Sequence, residues 1–404
     1  MRLSLLVFSL FIVGLVSAQQ ITISGKIHDK DTKEPLPFAS VFITGKPIGV
    51  VANEQGEFDF HIPVDLRNDI LSVSMIGYAT FQAPVWSLLN KSEAQPIIIE
   101  LSAAAVMLKE VVITDSLRAG EILKLALSRI EQNYPMKPFA MDGFYRDVKK
   151  LGGTYISLLE AAVKIYDDNY TAPRNKFRLR ERVALKEVRR SLGYSSKFTD
   201  FFDSENLLED LLTNNNVRYR QFPEESDFYK NIHFDDDTYY YDREVFVLTY
   251  KQDFSLRLYI DKATYGIVHL EYENDHQEDL EKKHDLESKF AKIKRIIDFK
   301  FIEGKLFLNY LSVISQVNWY DHKTGKLKFE AELQRQLLIN NIDANPRTRI
   351  SLAQKMKSYG LQYQDRTYNK LFWDNYNVIK QTPLDKKVIE DLEREEPLEK
   401  QFKQ

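Results

Sequence analysis

Alternating apolar and polar residues between positions 21 and 78 constrain the fold more than any other feature of the sequence. Apolar side chains recur at every second position in short runs, at residues 21–27, 38–43, 58–60 and 70–75. This period is typical of β-strands that bury one face. Turn-forming residues separate the runs, and we expect Gly56, at the end of an Asn-Glu-Gln-Gly turn, to have a positive φ. Several short strands within one domain length predict a β-sandwich and not a parallel sheet.

Motifs within this segment resemble a known family. The sequence contains Ile23-x-Gly25-x-Ile27, Glu34-Pro35-Leu36-Pro37, Asn53-x-x-Gly56-x-Phe58 and Ile76-Gly77-Tyr78. They resemble the carboxypeptidase-regulatory-like domain that is common at the N-termini of Bacteroidota envelope proteins. The resemblance covers about residues 20–102, with a closing strand at 97–101, and it implies a seven-stranded sandwich of the transthyretin or immunoglobulin type. Residues 108–113 are similar to the linker strand that follows this domain in outer-membrane receptors.

The first residues are typical of an export signal. Arg2 is followed by an apolar run over residues 3–16 and by small residues that end at Ala18, in the order of a signal peptide. Cleavage there would leave Gln19 first, and retention as a signal anchor is the alternative. The sequence has no Cys, which excludes disulfides, thiol catalysis and a lipid-modified cysteine. We expect export to the periplasm or to the periplasmic face of the outer membrane.

Charge and aromatic content restrict the partners. The net charge is -3, and Lys and Arg are interspersed with acidic residues, so the basic field that nucleic acids require is absent and no nucleic-acid partner is expected. The 22 Tyr and 25 Phe raise the aromatic content to 12%. This content favours a large curved sheet, an apolar or glycan-binding groove, or both, and the plainer interpretation is that the aromatics form strand cores.

The chain after residue 115 predicts an α+β domain. Apolar residues at helical spacing predict a helix over residues 116–134 and another over 204–212. Strand-like runs fill much of 139–338, although the compositions of residues 155–165 and 184–190 also suit a helix. The predicted fold class is mainly β, in which the sandwich is followed by a long curved antiparallel sheet with covering helices.

This second region carries weaker resemblances. Gly143-Phe144-Tyr145-Arg146, Leu258-Tyr259-Ile260-Asp261 and Phe372-Trp373-x-Asn375-Tyr376-Asn377 resemble the uncharacterised C-terminal half of many Bacteroidota proteins with a regulatory-like domain. The strands between residues 245 and 319 are also similar to the half-barrel of periplasmic lipoprotein carriers, which hold acyl chains in a concave apolar sheet.

The predicted organisation has five parts. They are a signal peptide (1–18), the sandwich (19–102), a linker (103–115), the α+β domain (116–380) and a charged C-terminal helix (381–404). Because charged residues dominate the last part, we expect a charged helix there, with a few apolar residues packed on the body of the protein, and not an integral membrane protein.

No catalytic or metal-binding motif emerges from the sequence. The motif His284-Asp285-Leu286-Glu287 has the spacing of two zinc ligands. It lies, however, in a run of alternating charges at 277–289, which predicts a solvated loop or helix. The later histidine that could complete a zinc site, His322, lies in a turn. Asp235-Asp236-Asp237 lacks the Gly and Glu of a calcium loop. We therefore predict no catalytic residue, no metal ligand and no cofactor, and we do not expect an enzyme.

The aromatic residues on strands that flank the turns are the candidate ligand-binding residues. They are Tyr239, Tyr241, Phe246, Tyr250, Tyr259, Phe299, Phe307 and Tyr310. We predict a non-catalytic envelope binding or accessory protein, in which the sandwich contacts an envelope protein partner and the aromatic sheet holds an apolar or glycan ligand. The alternatives are an assembly accessory of an outer-membrane complex without a small ligand, and a hydrolase whose site is assembled from residues distant in sequence.

Overall fold

A computed structural model describes most of the chain. The residues described are 20–92, 96–104, 117–191, 201–202, 206–283, 285–357, 360–364, 366–380, 390–394 and 397–402. The predicted signal peptide, most of the predicted linker and His284 lie outside these residues, as does much of the predicted C-terminal helix.

The N-terminal strands form the predicted seven-stranded sandwich. One sheet has the order β4-β1-β7 and the other β3-β2-β5-β6, and only the β1–β7 pair among these strands is parallel. A helix, α1, connects β6 to β7. The elements are β1 (Gln20–Asp29), β2 (Ser40–Ile43), β3 (Gly49–Val51), β4 (Glu57–Pro63), β5 (Ile70–Ser74), β6 (Phe81–Pro84), α1 (Val85–Ser92) and β7 (Ile97–Leu101).

Gly56 has the positive φ that its turn predicts. Its φ is 72°, and a Cβ placed on it would lie 2.4 Å from the carbonyl oxygen of Ile27. The same backbone pairs directly with β1, because the Ile27 amide donates to the Gly56 carbonyl over 2.8 Å. A side chain here would therefore be strained in conformation and would also push two paired segments apart.

Gly56→Val is expected to lower the free energy of unfolding by roughly 1–3 kcal/mol, because valine is disfavoured at positive φ and its Cβ meets the Ile27 carbonyl. Gly325→Val is the matched control, since Gly325 has a φ of 64° but no atom within 4 Å of the added Cβ. Urea unfolding of both variants measures the difference. Equal losses in the two variants would show that the contact with Ile27 contributes nothing.

The second region forms one large antiparallel sheet of 11 strands. Its order is β10-β9-β8-β18-β17-β16-β14-β13-β12-β11, and β15 pairs with β16 beside this path. The first and last strands of the region, β8 and β18, are neighbours in the middle of the sheet. The strands are β8 (Phe139–Leu151), β9 (Thr154–Asp167), β10 (Arg182–Arg190), β11 (His233–Tyr240), β12 (Arg243–Lys251), β13 (Ser255–Asp261), β14 (Ile267–Asn274), β15 (Glu278–Lys283), β16 (Leu286–Ile302), β17 (Lys305–Asp321) and β18 (Leu327–Asp343).

Short helices accompany this sheet. The helix predicted at 116–134 is two helices that meet at Arg129, and the helix predicted at 204–212 begins and ends slightly later. None of the helices formed by the described residues is long and apolar enough to cross a membrane. The helices are α2 (Ala119–Ser128), α3 (Ile130–Asn133), α4 (Leu207–Thr213), α5 (Asn216–Tyr219), α6 (Ser226–Lys230), α7 (Lys370–Asp374) and α8 (Leu398–Gln401).

The two faces of the large sheet have different covers. On the helix face, residues such as Tyr145 and Leu337 pack in one apolar cluster with Ile122 of α2 and with the buried leucines of α4. On the sandwich face, Phe144 and Leu338 belong to the cluster that forms the core of the sandwich. Neighbouring residues along a strand therefore serve two cores, as the period of a strand requires.

The sandwich is fixed to this second face by direct contacts. The rings of Phe38 and Tyr310 stack at 5.5 Å, and the Asn309 side-chain amide donates to Ser40 Oγ over 2.9 Å. Residues 366–380 run beside this contact, where Asn377 accepts a hydrogen bond from the amide of His61 and donates one to its carbonyl. The predicted division at residues 102–116 thus separates two parts that share one core.

Several predicted elements differ from those observed. The ambiguous residues 155–165 and 184–190 are strands, in β9 and β10. Within the strand-like region 139–338, β10 begins at Arg182 and β11 at His233, and helix α6 (Ser226–Lys230) lies before β11. The prediction of a loop or helix at 277–289 is wrong for most of the described residues, because 278–283 lie in β15 and 286–289 lie in β16, and the two strands pair through residues such as Asp279 and Lys289. Charged side chains dominate this hairpin, although Ser288 is buried, so its sequence lacks the apolar alternation that marks a strand.

Candidate functional site

The eight predicted aromatic residues do not share one surface. Phe299 and Phe307 are buried in the helix-face core, where their rings meet those of Tyr134 at 5.3 Å and Phe139 at 5.4 Å. These two residues fit the plainer interpretation of aromatics as strand core. Tyr310 lies on the opposite face, against Phe38 of the sandwich.

The other five are also dispersed. Tyr250 packs between Phe228 of α6 and Phe254, and Tyr259 meets the ring of His269 at 5.3 Å. The remaining three residues are half-buried. The ring of Phe246 lies near that of Tyr265, and the ring of Tyr241 contacts that of Phe42. The backbone carbonyl of Tyr239 accepts a hydrogen bond from the Gly77 amide. The prediction of a single aromatic surface is therefore corrected by the structure, and contact of any of the eight with a ligand stays a prediction.

Two adjoining cavities on the helix face form what we call the helix-side groove. Their volumes are about 570 Å³ and about 660 Å³, and both are lined by Phe177, Asp210 and Thr213. Cavities of ~300–1,000 Å³ hold small organic ligands in many proteins. The groove is therefore large enough for a ligand with an extended apolar body.

Helix α4 separates the two cavities and is held firmly. Asn206 caps its N-terminus by accepting a hydrogen bond from the Glu209 amide over 3.1 Å, and four leucines of the helix are buried. Packing of these leucines against the sheet places Asp210 and Thr213 between the cavities. The helix that divides the groove is thus part of the folded core.

Aromatic and aliphatic side chains line most of the groove. Phe177 is 84% exposed at its opening, and a large exposed apolar side chain of this kind often marks a contact surface. Phe254 and Tyr272 form a pair of rings at 5.2 Å on one side, and Phe201 packs on Trp319 at 5.1 Å on the other. The remaining apolar lining consists of Phe202, Leu207, Phe222, Pro223, Leu256, Val317, Ala331 and Leu333.

The cationic part of the lining consists of two arginines and Lys176, which pairs with Glu224 at 2.9 Å. Arg295 of β16 and Arg335 of β18 both pair in register with Val313 of β17, the strand between them. Arg295 donates to the side-chain oxygens of Asn214 and Asn216, and Arg335 pairs with Asp210. Among the described residues no partner is present for the buried Nε of either arginine. Each side chain therefore retains an unused hydrogen-bond donor.

Burial lowers the pKa of both arginines, that of Arg295 to about 10. Arg295 remains cationic at neutral pH because this value lies well above 7. A cation beside apolar walls suits an amphipathic ligand with an anionic or hydrogen-bond-accepting head.

The residues weighed as metal ligands have other partners. His322 Nδ1 lies 3.1 Å from Glu287 Oε2 on an exposed turn, and Asp235 and Asp237 form ion pairs with Arg257 and Lys262. His284 lies outside the described residues. No cluster of three His, Asp or Glu side chains that could hold a metal ion occurs in the part of the chain that the structure describes.

Sequence reasoning missed the groove residues. Phe177, Arg295 and Arg335 are far apart in the chain, and the pairing of the strands brings the two arginines together. One available signal was Arg295 itself, a charged residue that alternates with the apolar residues Ile293 and Ile297 on one face of the strand.

Comparison with known proteins identifies the sandwich. Residues 23–113 match the profile of the family described as CarboxypepD_reg-like domain, so the chain contains a carboxypeptidase-regulatory-like domain there. This agrees with the architecture of two packed sheets in residues 20–101. No curated protein matches the sequence.

Solved structures share only a distant similarity with the chain. A crystal structure of MucB is 10% identical and covers 54% of this chain and 92% of its own, with a TM-score of 0.18. The complex of Pseudomonas aeruginosa MucA and MucB is 9% identical, and the match covers 57% of this chain and 99% of the matched chain, with a TM-score of 0.19. A structure of lipid–protein interactions in lipovitellin is 8% identical, covers 54% and 26%, and has a TM-score of 0.24. Scores this low carry no functional argument.

Proposed function

We propose that this chain is a non-catalytic binding protein of the cell envelope that holds an amphipathic ligand in the helix-side groove. The ligand has an apolar body, which the aromatic and aliphatic walls contact, and an anionic head, which Arg295 or Arg335 receives. The envelope location rests on the signal-like residues 1–18 and the regulatory-like sandwich. In this proposal the sandwich is the module that contacts an envelope partner.

The observation that carries the proposal is the pair of adjoining cavities at α4. A sheet face fully packed by its own helices would leave no room for an acyl chain, whereas about 570 Å³ and about 660 Å³ are open here. Exposure of aromatic walls to water is unfavourable in free energy, and an apolar ligand that covers them removes this exposure. The buried guanidinium groups add a preference for an anion, because a charge-assisted hydrogen bond is stronger than a neutral one.

Laurate is a suitable probe, because it combines a twelve-carbon chain with a carboxylate. Isothermal titration of the protein isolated from the periplasmic fraction is expected to give a Kd in the micromolar range. Thr213→Trp should weaken binding by at least about tenfold, since Thr213 lines both cavities and the larger side chain would fill them.

Thr22→Trp is the matched control for this experiment. It makes the same side-chain change at an exposed position of β1, remote from the groove, and it should bind laurate as the wild type does. Failure of laurate to bind the wild type, or equal affinities of the wild type and Thr213→Trp, would contradict the proposal and leave the assembly-accessory function.

A further inference from the structure

A third cavity lies where the sandwich meets the large sheet. This junction cavity has a volume of about 280 Å³. The sandwich contributes Thr44, Ser72 and Thr80, and the sheet contributes the turn that connects β11 to β12 and the end of β16. Its walls therefore come from both halves of the chain.

Lys300 is the unusual residue of this cavity. Its side chain lines the junction cavity although the residue is only 6% exposed. Among the described residues its Nζ has no hydrogen-bond partner, and the same is true of the buried Oγ1 of Thr80 on the opposite wall. A buried ammonium group without a hydrogen-bond partner is unfavourable, because it has lost its water and the charge of Asp298 compensates only part of that loss.

The charged groups around Lys300 are largely engaged elsewhere. Asp298, two residues earlier on β16, accepts hydrogen bonds from Tyr240 over 2.5 Å and from Asn309 over 2.8 Å. Arg243 also lines the cavity, but its guanidinium group donates twice to Asp261, over 2.6 Å and 2.9 Å.

Three further charged residues line the cavity. Asp242 accepts a hydrogen bond from the amide of Thr80 over 3.1 Å, and Glu303 and Lys46 belong to exposed turns at the rim. Among the described residues no ion pair joins Lys300 to Asp242, Glu303 or Asp298. Lys300 is thus a buried cation at the wall of the cavity, and Asp298, the carboxylate whose charge acts on it, is held by other donors.

We propose that the junction cavity binds the oxyanion group, carboxylate or phosphate, of a small solute. Lys300 supplies the positive charge, and the hydroxyl of Thr80 supplies a second hydrogen-bond donor. Such a ligand would contact the sandwich and the large sheet together, so its binding would strengthen their contact. This site is distinct from the helix-side groove, which lies on the other face of the sheet.

The protonation of Lys300 gives the proposal a characteristic pH dependence. Burial lowers the pKa of Lys300 to about 8. The ammonium form is therefore dominant at pH 7 and scarce at pH 9. Because only the ammonium form attracts an anion, the affinity for an anion whose own charge is constant should fall by roughly tenfold over this interval.

Sulfate and acetate are the probes, because both keep their charge between pH 7 and pH 9. Isothermal titration of the full chain at pH 7 is expected to show saturable binding of at least one of them. Preference for sulfate would identify a phosphate-like ligand, and preference for acetate a carboxylate. In Lys300→Met we expect affinity to fall by about tenfold or more, with the pH dependence lost.

Lys300→Met should fold at least as stably as the wild type, because it removes a buried charge that has no hydrogen-bond partner. A loss of anion binding in this variant would therefore not result from unfolding. Lys294→Met is the matched control, since Lys294 is an exposed residue of the same strand. It should bind both anions as the wild type does. Absence of saturable binding by the wild type, or equal loss of affinity in both variants, would overturn the proposal.

Discussion

Glu160→Gln is expected to lower the free energy of unfolding by roughly 3–5 kcal/mol. Glu160 lies on the central part of β9 and is 0% exposed. One carboxylate oxygen accepts from Arg146 Nε over 2.8 Å, and the other accepts from Arg189 Nε over 2.6 Å. Glutamine would leave two guanidinium groups at a buried site without the negative charge that balances them.

The arginines also connect this carboxylate to the rest of the fold. Arg146 donates to the carbonyl of Ile379 over 2.9 Å, and the Arg189 guanidinium lies 4.3 Å from the centre of the Trp373 ring. Loss of the Glu160 charge would therefore loosen β8, β9 and β10 together with the segment at 366–380 that packs beside the sandwich.

Acid should have a related effect on the wild type. Burial opposes ionisation of Glu160, but the charges and hydrogen bonds of Arg189 and Arg146 outweigh it and lower the pKa of this carboxyl. A group with a lowered pKa contributes stability above the pKa of the unfolded chain, and this contribution is lost as the pH falls through the folded value. Glu160→Gln should therefore lose less stability below pH 4.5 than the wild type does.

Urea unfolding at pH 7 measures the main effect, and Glu224→Gln is the control. Glu224 pairs with Lys176 at 2.9 Å, but its side chain is 85% exposed, so its loss should cost roughly 0–1 kcal/mol. If Glu160→Gln differed from the wild type by no more than this control, the ion cluster would contribute little to the fold.

The sequence predicted the sandwich well because its strands bury one main face. β4 alternates strictly, with Phe58, Phe60 and Ile62 inside, and Gly56 precedes it in the turn. In this segment the alternation of apolar residues predicts the strand, and the glycine predicts the turn before it.

The large sheet was harder to predict because both of its faces are covered. Phe144 and Tyr145 are neighbours on β8 and are both fully buried, one beneath the sandwich and one beneath the helices. A strand of this kind has no polar face, so its sequence loses the alternation by which a strand is recognised. Residues 155–165 were ambiguous for this reason.

The contact between the two parts was not visible in the sequence. Ser40 and Phe42 occupy the positions of β2 that usually face water, but Ser40 accepts from Asn309 and Phe42 meets Tyr241. A serine at such a position has the same pattern whether it meets solvent or another sheet. The junction cavity with Lys300, which exists only where these surfaces meet, could not be predicted either.

The period of a strand accounts for part of the dispersal of the aromatic residues. Phe307 and Tyr310 are three positions apart on β17, so alternation alone places them on opposite faces of the sheet, and they belong to different cores. The register between β16 and β17 also shifts between Asp298 and Phe299, opposite Tyr310 and Leu308, and such a bulge changes the direction of the side chains beside it. The eight residues were chosen by residue type and by their nearness to turns, and neither feature records the face on which a side chain lies.

The contribution of His269 to the stability of the fold is expected to fall by roughly 3 kcal/mol between pH 6.5 and pH 9, because this residue loses its proton there. His269 lies on β14 with its side chain 12% exposed, and its Nδ1 is 3.0 Å from Asp298 Oδ1. Its Nε2 is 3.5 Å from Glu271 Oε1. Burial alone would lower the pKa of His269, but the two carboxylates outweigh burial and raise it to about 9.

The direction of this pH dependence follows from the raised pKa of His269. The imidazolium form is favoured in the folded state, so its full contribution is present below about pH 6.5, the ordinary value, and is lost as the pH rises through about 9. His269→Gln removes the titrating group. This variant should be less stable than the wild type near pH 6, and the difference should shrink toward pH 9.

The difference between variant and wild type is the quantity to measure, because Lys300 also titrates near this range. The lowered pKa of Lys300, about 8, means that folding becomes more favourable as the pH rises above it. This opposite contribution is common to both proteins and cancels in the comparison. His276→Gln, at an exposed position that leaves the pair of His269 and Asp298 intact, should reproduce the wild-type profile in urea unfolding. A constant gap between His269→Gln and the wild type from pH 6 to pH 9 would show that the imidazolium of His269 does not stabilise the fold.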